Sequence, residues 1–101
     1  MATESDMAHL LGMSGVISMI LAVYDNEKMN DDELQWYSGR AYLRVIDLCQ
    51  YGIFTHLENV MIKGYSSGVY ALTEKGKKLA ETLRLAMKPF VTEKIISIKV
   101  E

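Results

Sequence analysis

The chain has 101 residues, half of them hydrophobic and 24% charged, with a formal net charge of −2. That length supports one modest hydrophobic core and no second domain, and no run approaches the roughly 20 apolar residues a spanning helix needs. A negative sum also argues against non-specific attraction to nucleic acid, which depends on Lys and Arg displacing counterions from phosphate.

The start, Met1-Ala2-Thr3-Glu4-Ser5-Asp6, lacks the basic flank of a secretory signal, and the single Cys49 has no internal partner for a disulfide. The cytoplasm is the expected compartment, with no membrane partner. Residues 7–11 either extend the first helix or form part of a short N-terminal arm over 1–13, with Gly12 and Ser14-Gly15 as the break. Met13, Val16, Ile17, Ile20, Leu21 and Tyr24 then recur at helical spacing, and Asp25-Asn26 ends the run. Met19, Ala22 and Val23 make the opposite side apolar too, so this helix is either buried all round or packed on a second subunit.

Asn30 before Asp31-Asp32-Glu33 is an N-cap followed by acids in the first turn, which predicts a short second helix over 31–37. Ser38-Gly39 punctuates the chain. Ala41, Val45 and Leu48, with Ile46 and Cys49 beside them, trace the stripe of a third helix that stops at Gly52, placed as a left-handed cap. Strand formers follow at 53–57 and 60–62, then a turn signal in Lys63-Gly64-Tyr65-Ser66-Ser67-Gly68, then Val69-Tyr70-Ala71-Leu72. The pattern is a β hairpin, bent or bulged at Glu58-Asn59. Thr73 caps a fourth helix with Leu79, Leu83 and Ala86 or Met87 on one face, ended by Pro89, and the last residues, 90–101, read as a short terminal strand.

The order of three helices, a hairpin and a helix is that of a winged helix-turn-helix, a mainly helical α+β fold with a three-helix core and a two-stranded wing. From Gly39 through Tyr42, Val45, Leu48, Gly52 and Ile53 the residues resemble the recognition-helix pattern of PadR-type transcriptional regulators. Tyr70-Ala71-Leu72-Thr73-Glu74-Lys75-Gly76 is similar to the second wing strand and helix start of PadR-type, MarR-type and many archaeal regulators. Together these segments cover about half the chain. The second helix is shorter than that family usually has.

The resemblance implies a DNA-binding regulator acting as a homodimer, with helix 38–51 in the major groove of double-stranded DNA. Ser38 and Gly39 would offer amides to phosphate; Arg40, Tyr42, Leu43 and Arg44 would face the groove; Lys63, Tyr65, Ser66 and Ser67 would lie along adjoining DNA; and Lys75 would neutralise phosphate at the start of the last helix. Charge is distributed in keeping with this. Residues 1–36 hold one base, Lys28, against seven acids, whereas 37–101 hold ten bases against six acids. The alternative is a winged-helix protein–protein interaction module, in which the acidic first third and the shortened second helix serve a partner protein.

Each of these features has a plainer reading beside it. Lys75, Lys77 and Lys78 also serve solubility. Trp36, Tyr37 and Tyr42 are expected to anchor the core, with Tyr42 the first exception, and seven Met residues suggest adaptable packing or a dimer interface. His9, His56 and Cys49 do not have zinc-ligand spacing, and no phosphate loop, serine elbow or paired-carboxylate pattern is present. Neither an enzyme nor a cofactor is expected.

Overall fold

The Thr3 hydroxyl accepts the Asp6 amide at 3.1 Å while the Asp6 carboxylate accepts the Thr3 amide at 3.0 Å. This reciprocal cap opens helix α1 (Glu4–Leu11), so the expected N-terminal arm is a helix of its own. The computed structural model describes residues 2–100, with side chains described up to Val91; Met1 of the expected arm and Glu101 of the expected terminal strand lie outside the described residues.

Helix α2 (Val16–Asn26) starts at Gly15, whose φ is 81°. A Cβ at that position would collide with the Tyr37 carbonyl, so only glycine lets α2 begin hard against the turn that leads into the third core helix. Val16, Met19, Ile20 and Val23 are fully buried, and Ile17, Leu21 and Tyr24 are half-buried. Of the two readings of its apolar faces, burial within its own chain holds: α2 packs against α1, the sheet and the last helix.

After α2 comes a strand with no signal in the sequence, β1 (Lys28–Asn30), which runs antiparallel to β3 (Tyr65–Leu72) with Met29 opposite Tyr70. β2 (Phe54–Ile62) pairs on the other side of β3, giving a three-stranded antiparallel sheet in the order β1-β3-β2. The expected two-stranded hairpin is present as β2 and β3, and β1 extends it to a three-stranded sheet. Its turn is also tighter than expected. Ile62 pairs with Tyr65, so only Lys63 and Gly64 form the turn, both in the left-handed region at φ 52° and 87°. Such a pair matches the right-handed twist of the flanking strands. The first strand is bulged, but just before the expected Glu58-Asn59: the register shifts between His56 and Glu58, with Leu57 as the extra residue.

Asn30 caps α3 (Asp31–Leu34) as the sequence predicts, its side chain accepting the Glu33 amide and Glu33 returning a bond to the Asn30 amide, both at 2.9 Å. The helix lasts four residues instead of seven; Gln35 to Tyr37 continue as turns. Helix α4 (Ala41–Gln50) buries Ala41, Val45 and Leu48, and Gly52 ends it in the left-handed conformation at φ 73°, both as predicted.

The junction at Thr73 is closely packed. The Thr73 hydroxyl donates to the carbonyl of Gly52 and accepts the Gly76 amide at 3.0 Å, while the Thr73 amide donates to Ile53 at 3.0 Å. A Cβ at Gly76 would overlap the Ile53 carbonyl, so the glycine lets helix α5 (Glu74–Val100) close onto the end of α4. Leu79 and Leu83 pack on the core beside fully buried Ala80.

Pro89 does not end α5, and the expected strand is corrected: the backbone over 90–100 is helical. Proline removes one hydrogen bond, to the carbonyl of Leu85, and this stretch is exposed, so water can satisfy that carbonyl. The architecture is thus mainly helical α+β, with the hairpin standing where a winged helix carries its wing.

Candidate nucleic-acid interface

Helix α4 begins later than expected, at Ala41, with Arg40 as its cap residue and no side-chain cap of the usual kind. Ser38 and Gly39 therefore lie in the turn before the helix. The Ser38 hydroxyl accepts the Arg40 amide at 3.3 Å and its carbonyl accepts the Ala41 amide at 3.2 Å. This folds the turn back toward the start of α2. The result is a shallow cavity of about 360 Å³ lined by Met13, Ser14, Ser38, Gly39, Arg40 and Arg44.

The two arginines differ in their environment. Arg40 is exposed and makes no ion pair among the described residues. Arg44 was expected to face outward; its side chain is only 19% exposed, with Nη1 against the Met13 sulfur and 3.1 Å from Asp47 Oδ2. Asp47 too is half-buried, turned to its neighbour on the same helix. The outer face of α4 is left to Tyr42, Leu43 and Ile46, with exposures of 58%, 36% and 51%.

Trp36 and Tyr37 correct a second expectation. Neither anchors the core: Trp36 is 87% exposed and Tyr37 is partly so, whereas Leu34 two residues earlier is fully buried. The short α3 is the reason. One helical turn buries a single inward residue, and the chain then leaves the core before the aromatics are reached.

In the hairpin, Lys63, Tyr65 and Ser66 are exposed, as the sequence predicts, and Leu57 and Met61 add apolar surface. Ser67 corrects the prediction. It is 3% exposed, opposite Val60 on the inner side of the hairpin, and its hydroxyl oxygen has no hydrogen-bond partner. Asp31 fixes this part of the wing to the helical core by accepting the Gly68 amide at 2.9 Å. Nothing in the local pattern singled out that long-range bond, because a first-turn aspartate already has a role at a helix N-terminus. Behind it, Tyr70 stacks near Phe54 and His56, with ring centroids 6.4 and 5.2 Å apart. Burial, and after it the charge of Asp31, raises the pKa of both the Tyr70 phenol and the Cys49 thiol. Both effects disfavour the Cys49 thiolate.

Lys75 sits elsewhere. It lines a cleft with Ala2, Asp6, Gln50 and Tyr51, at the carboxyl end of α4 and away from Ser38 and Arg40. The structure thus brings Ser38, Gly39, Arg40 and Arg44 together around one cavity, displays Tyr42 and Leu43 beside it on α4, sets Lys63, Tyr65 and Ser66 on the wing, and separates Ser67 and Lys75 from them. Ser14 and Met13 are the cavity residues that sequence reasoning missed; Met13 reads as part of the first helical repeat and Ser14 as its break, and the structure sets both in the turn between α1 and α2.

No cluster of three or more His, Cys, Asp or Glu residues among the described residues is arranged to hold a metal ion. No single helix among them is long and apolar enough to cross a membrane. No known protein family matches the chain, and no curated protein sequence matches it. Solved structures do. A transcriptional regulator homologue from Pyrococcus horikoshii OT3 aligns with a TM-score of 0.64 at 17% identity, covering 84% of this chain and 87% of that one. A candidate transcriptional regulator from Thermoplasma acidophilum aligns with a TM-score of 0.56 at 21% identity, covering 95% of this chain and 98% of that one. At these identities the likeness is one of fold, and it extends over nearly the whole length of all three chains.

Proposed function

We propose that the protein is a DNA-binding transcriptional regulator of the winged-helix type, which places α4 against the major groove and the hairpin on the flanking backbone. The observation that carries this reading is the cavity at the start of α4. Arg40, Arg44, Ser14 and Ser38 line a space of about 360 Å³, at the end of the helix where backbone amides favour an anion. A backbone phosphate seated there aligns α4 with the groove, while Lys63 and Ser66 reach the next stretch of backbone. The two structural neighbours, a regulator homologue and a candidate regulator, support the same reading through their fold. The PadR-like assignment rests on the residue pattern of 39–53 and 70–76.

The reading includes a homodimer, matching a two-fold operator. Its support is α5, which at 27 residues is about 40 Å long and carries Leu85, Phe90 and Val91 at 60–70% exposure beyond the part that packs on the core. Replacing Phe90 by Asp should shift the protein to monomer in light scattering. An unchanged mass removes α5 from the dimer proposal.

The test of DNA binding is titration of duplexes across a salt series. Affinity should fall steeply as salt rises, and Arg40→Ala should weaken it and flatten the slope. Binding that is absent at low salt, or indifferent to salt, overturns the proposal. A second reading, a protein-interaction module, is favoured by one observation: Trp36, Tyr37, Tyr42 and Ile46 expose aromatic and aliphatic surface around the same helix. Capture of a partner that survives nuclease and is lost in Trp36→Ala supports that reading.

A further inference from the structure

We propose that α4 reads thymine, through contacts between its apolar outer face and the C5-methyl groups in the major groove; the proposal rests on the DNA-binding reading above. Tyr42, Leu43 and Ile46 stand at helical neighbour spacing and share one exposed face. The usual means of reading guanine, a guanidinium or ammonium bidentate to O6 and N7, is missing from the middle of that face. Arg44 is drawn to the side by Asp47 and Met13, and Arg40 lies at the cap beside the anion cavity. No carboxylate faces outward there to accept from cytosine, since Asp47 is turned to Arg44.

What the face offers is aliphatic and aromatic carbon. In the major groove the thymine methyl is the one apolar group a base pair presents, so a face of this composition discriminates by covering methyls. Arg40 and the cavity supply position without sequence information, and the apolar triplet supplies the preference. Division of labour along one helix accounts for both the sparse charge of α4 and the exposure of Ile46 and Tyr42 on its outer face.

The test uses the full-length protein and a duplex recovered by selection from random sequences at near-physiological salt. That duplex is then synthesised with thymine and again with uracil, which pairs identically and lacks only the methyl. Uracil should lower affinity by about three- to fourfold for each methyl covered. Ile46→Ala and Leu43→Ala should weaken binding to the thymine duplex toward that of the uracil duplex, while Arg40→Ala should weaken both alike. Replacing cytosine by 5-methylcytosine at non-contacted positions should have no effect. Equal affinity of the unmodified protein for thymine and uracil duplexes overturns methyl reading and leaves DNA binding intact. Failure to recover or bind any duplex at any salt overturns both.

Discussion

Arg44 and Asp47 are one helical turn apart on α4, and Nη1 of the first lies 3.1 Å from Oδ2 of the second. The pair holds the guanidinium over Met13 at the side of the helix and neutralises it there. Asp47→Asn should release that charge to the cavity. If phosphate binds in it, affinity for duplex DNA rises and the slope of log affinity against log salt steepens by about 0.9, the value for one further phosphate contact. An isothermal salt series on the two proteins checks it; identical slopes would mean that Arg44 takes no part.

The Thr73 junction predicts a stability effect of a specific kind. Thr73→Val keeps the side-chain shape but removes the cap to the Gly76 amide and the donor to the Gly52 carbonyl, and should cost about 1–2 kcal/mol in urea unfolding. Thr73→Ser should retain most of that stability. Gly76→Ala should also destabilise, by about 1–3 kcal/mol, because the added methyl must displace the Ile53 carbonyl.

Leu34 and Trp36 give opposed expectations. Leu34 is fully buried, and truncation to Ala should cost about 2–5 kcal/mol. Trp36→Ala should leave the unfolding free energy within about 0.5 kcal/mol of the parent, since the ring is almost wholly in solvent. As the chain's one tryptophan, it also reports on its surroundings. Its fluorescence in the free protein should be water-like and fully quenched by iodide, and a ligand seated on α3–α4 should protect it.

Asp25 and Arg84 tie the end of α2 to α5 through a two-point ion pair at 2.6 and 3.0 Å. The hydrogen bond from Arg84 holds the Asp25 carboxyl below its usual value of 3.8. With a depressed folded pKa, the unfolded chain takes up the proton first as pH falls. The contribution is therefore present above 3.8 and disappears as pH drops through the folded value. Asp25→Asn should lower the unfolding midpoint slightly at neutral pH and low salt, less so at high salt, and not at all in strong acid. The effect is small because both groups are exposed.

Much of this fold was legible in the sequence because it is written in local chemistry. Val45 and Leu48 follow the helical repeat, Asn30 and Thr73 are capping residues in capping positions, Gly52 sits where a helix must end, and Val69 to Leu72 follow a turn signal. The elements that escaped are those held by distant partners. β1 has three residues and no alternation of its own, and it exists because β3 offers it an edge. Pro89 is a local stop signal that an exposed helix passes without burying the orphaned carbonyl. Ser67 sat within an apparent turn until pairing with Val60 drew it into the strand.

The candidate site divides in the same way. The sequence by itself determined the order from α2 onward, the caps at Asn30 and Thr73, the hairpin and the identity of Arg40, Tyr42, Leu43 and Lys63 as surface residues, because spacing and capping act over a few residues. Only the tertiary structure decided that Ser14 and Ser38 meet around Arg40, that Asp47 takes Arg44 out of the groove-facing surface, and that Trp36 is in solvent. The first depends on where α2 begins, and Gly15 fixes that point by allowing its backbone to touch the Tyr37 carbonyl, a contact 22 residues away in sequence; the second depends on the pairing within α4, and the third on the short α3.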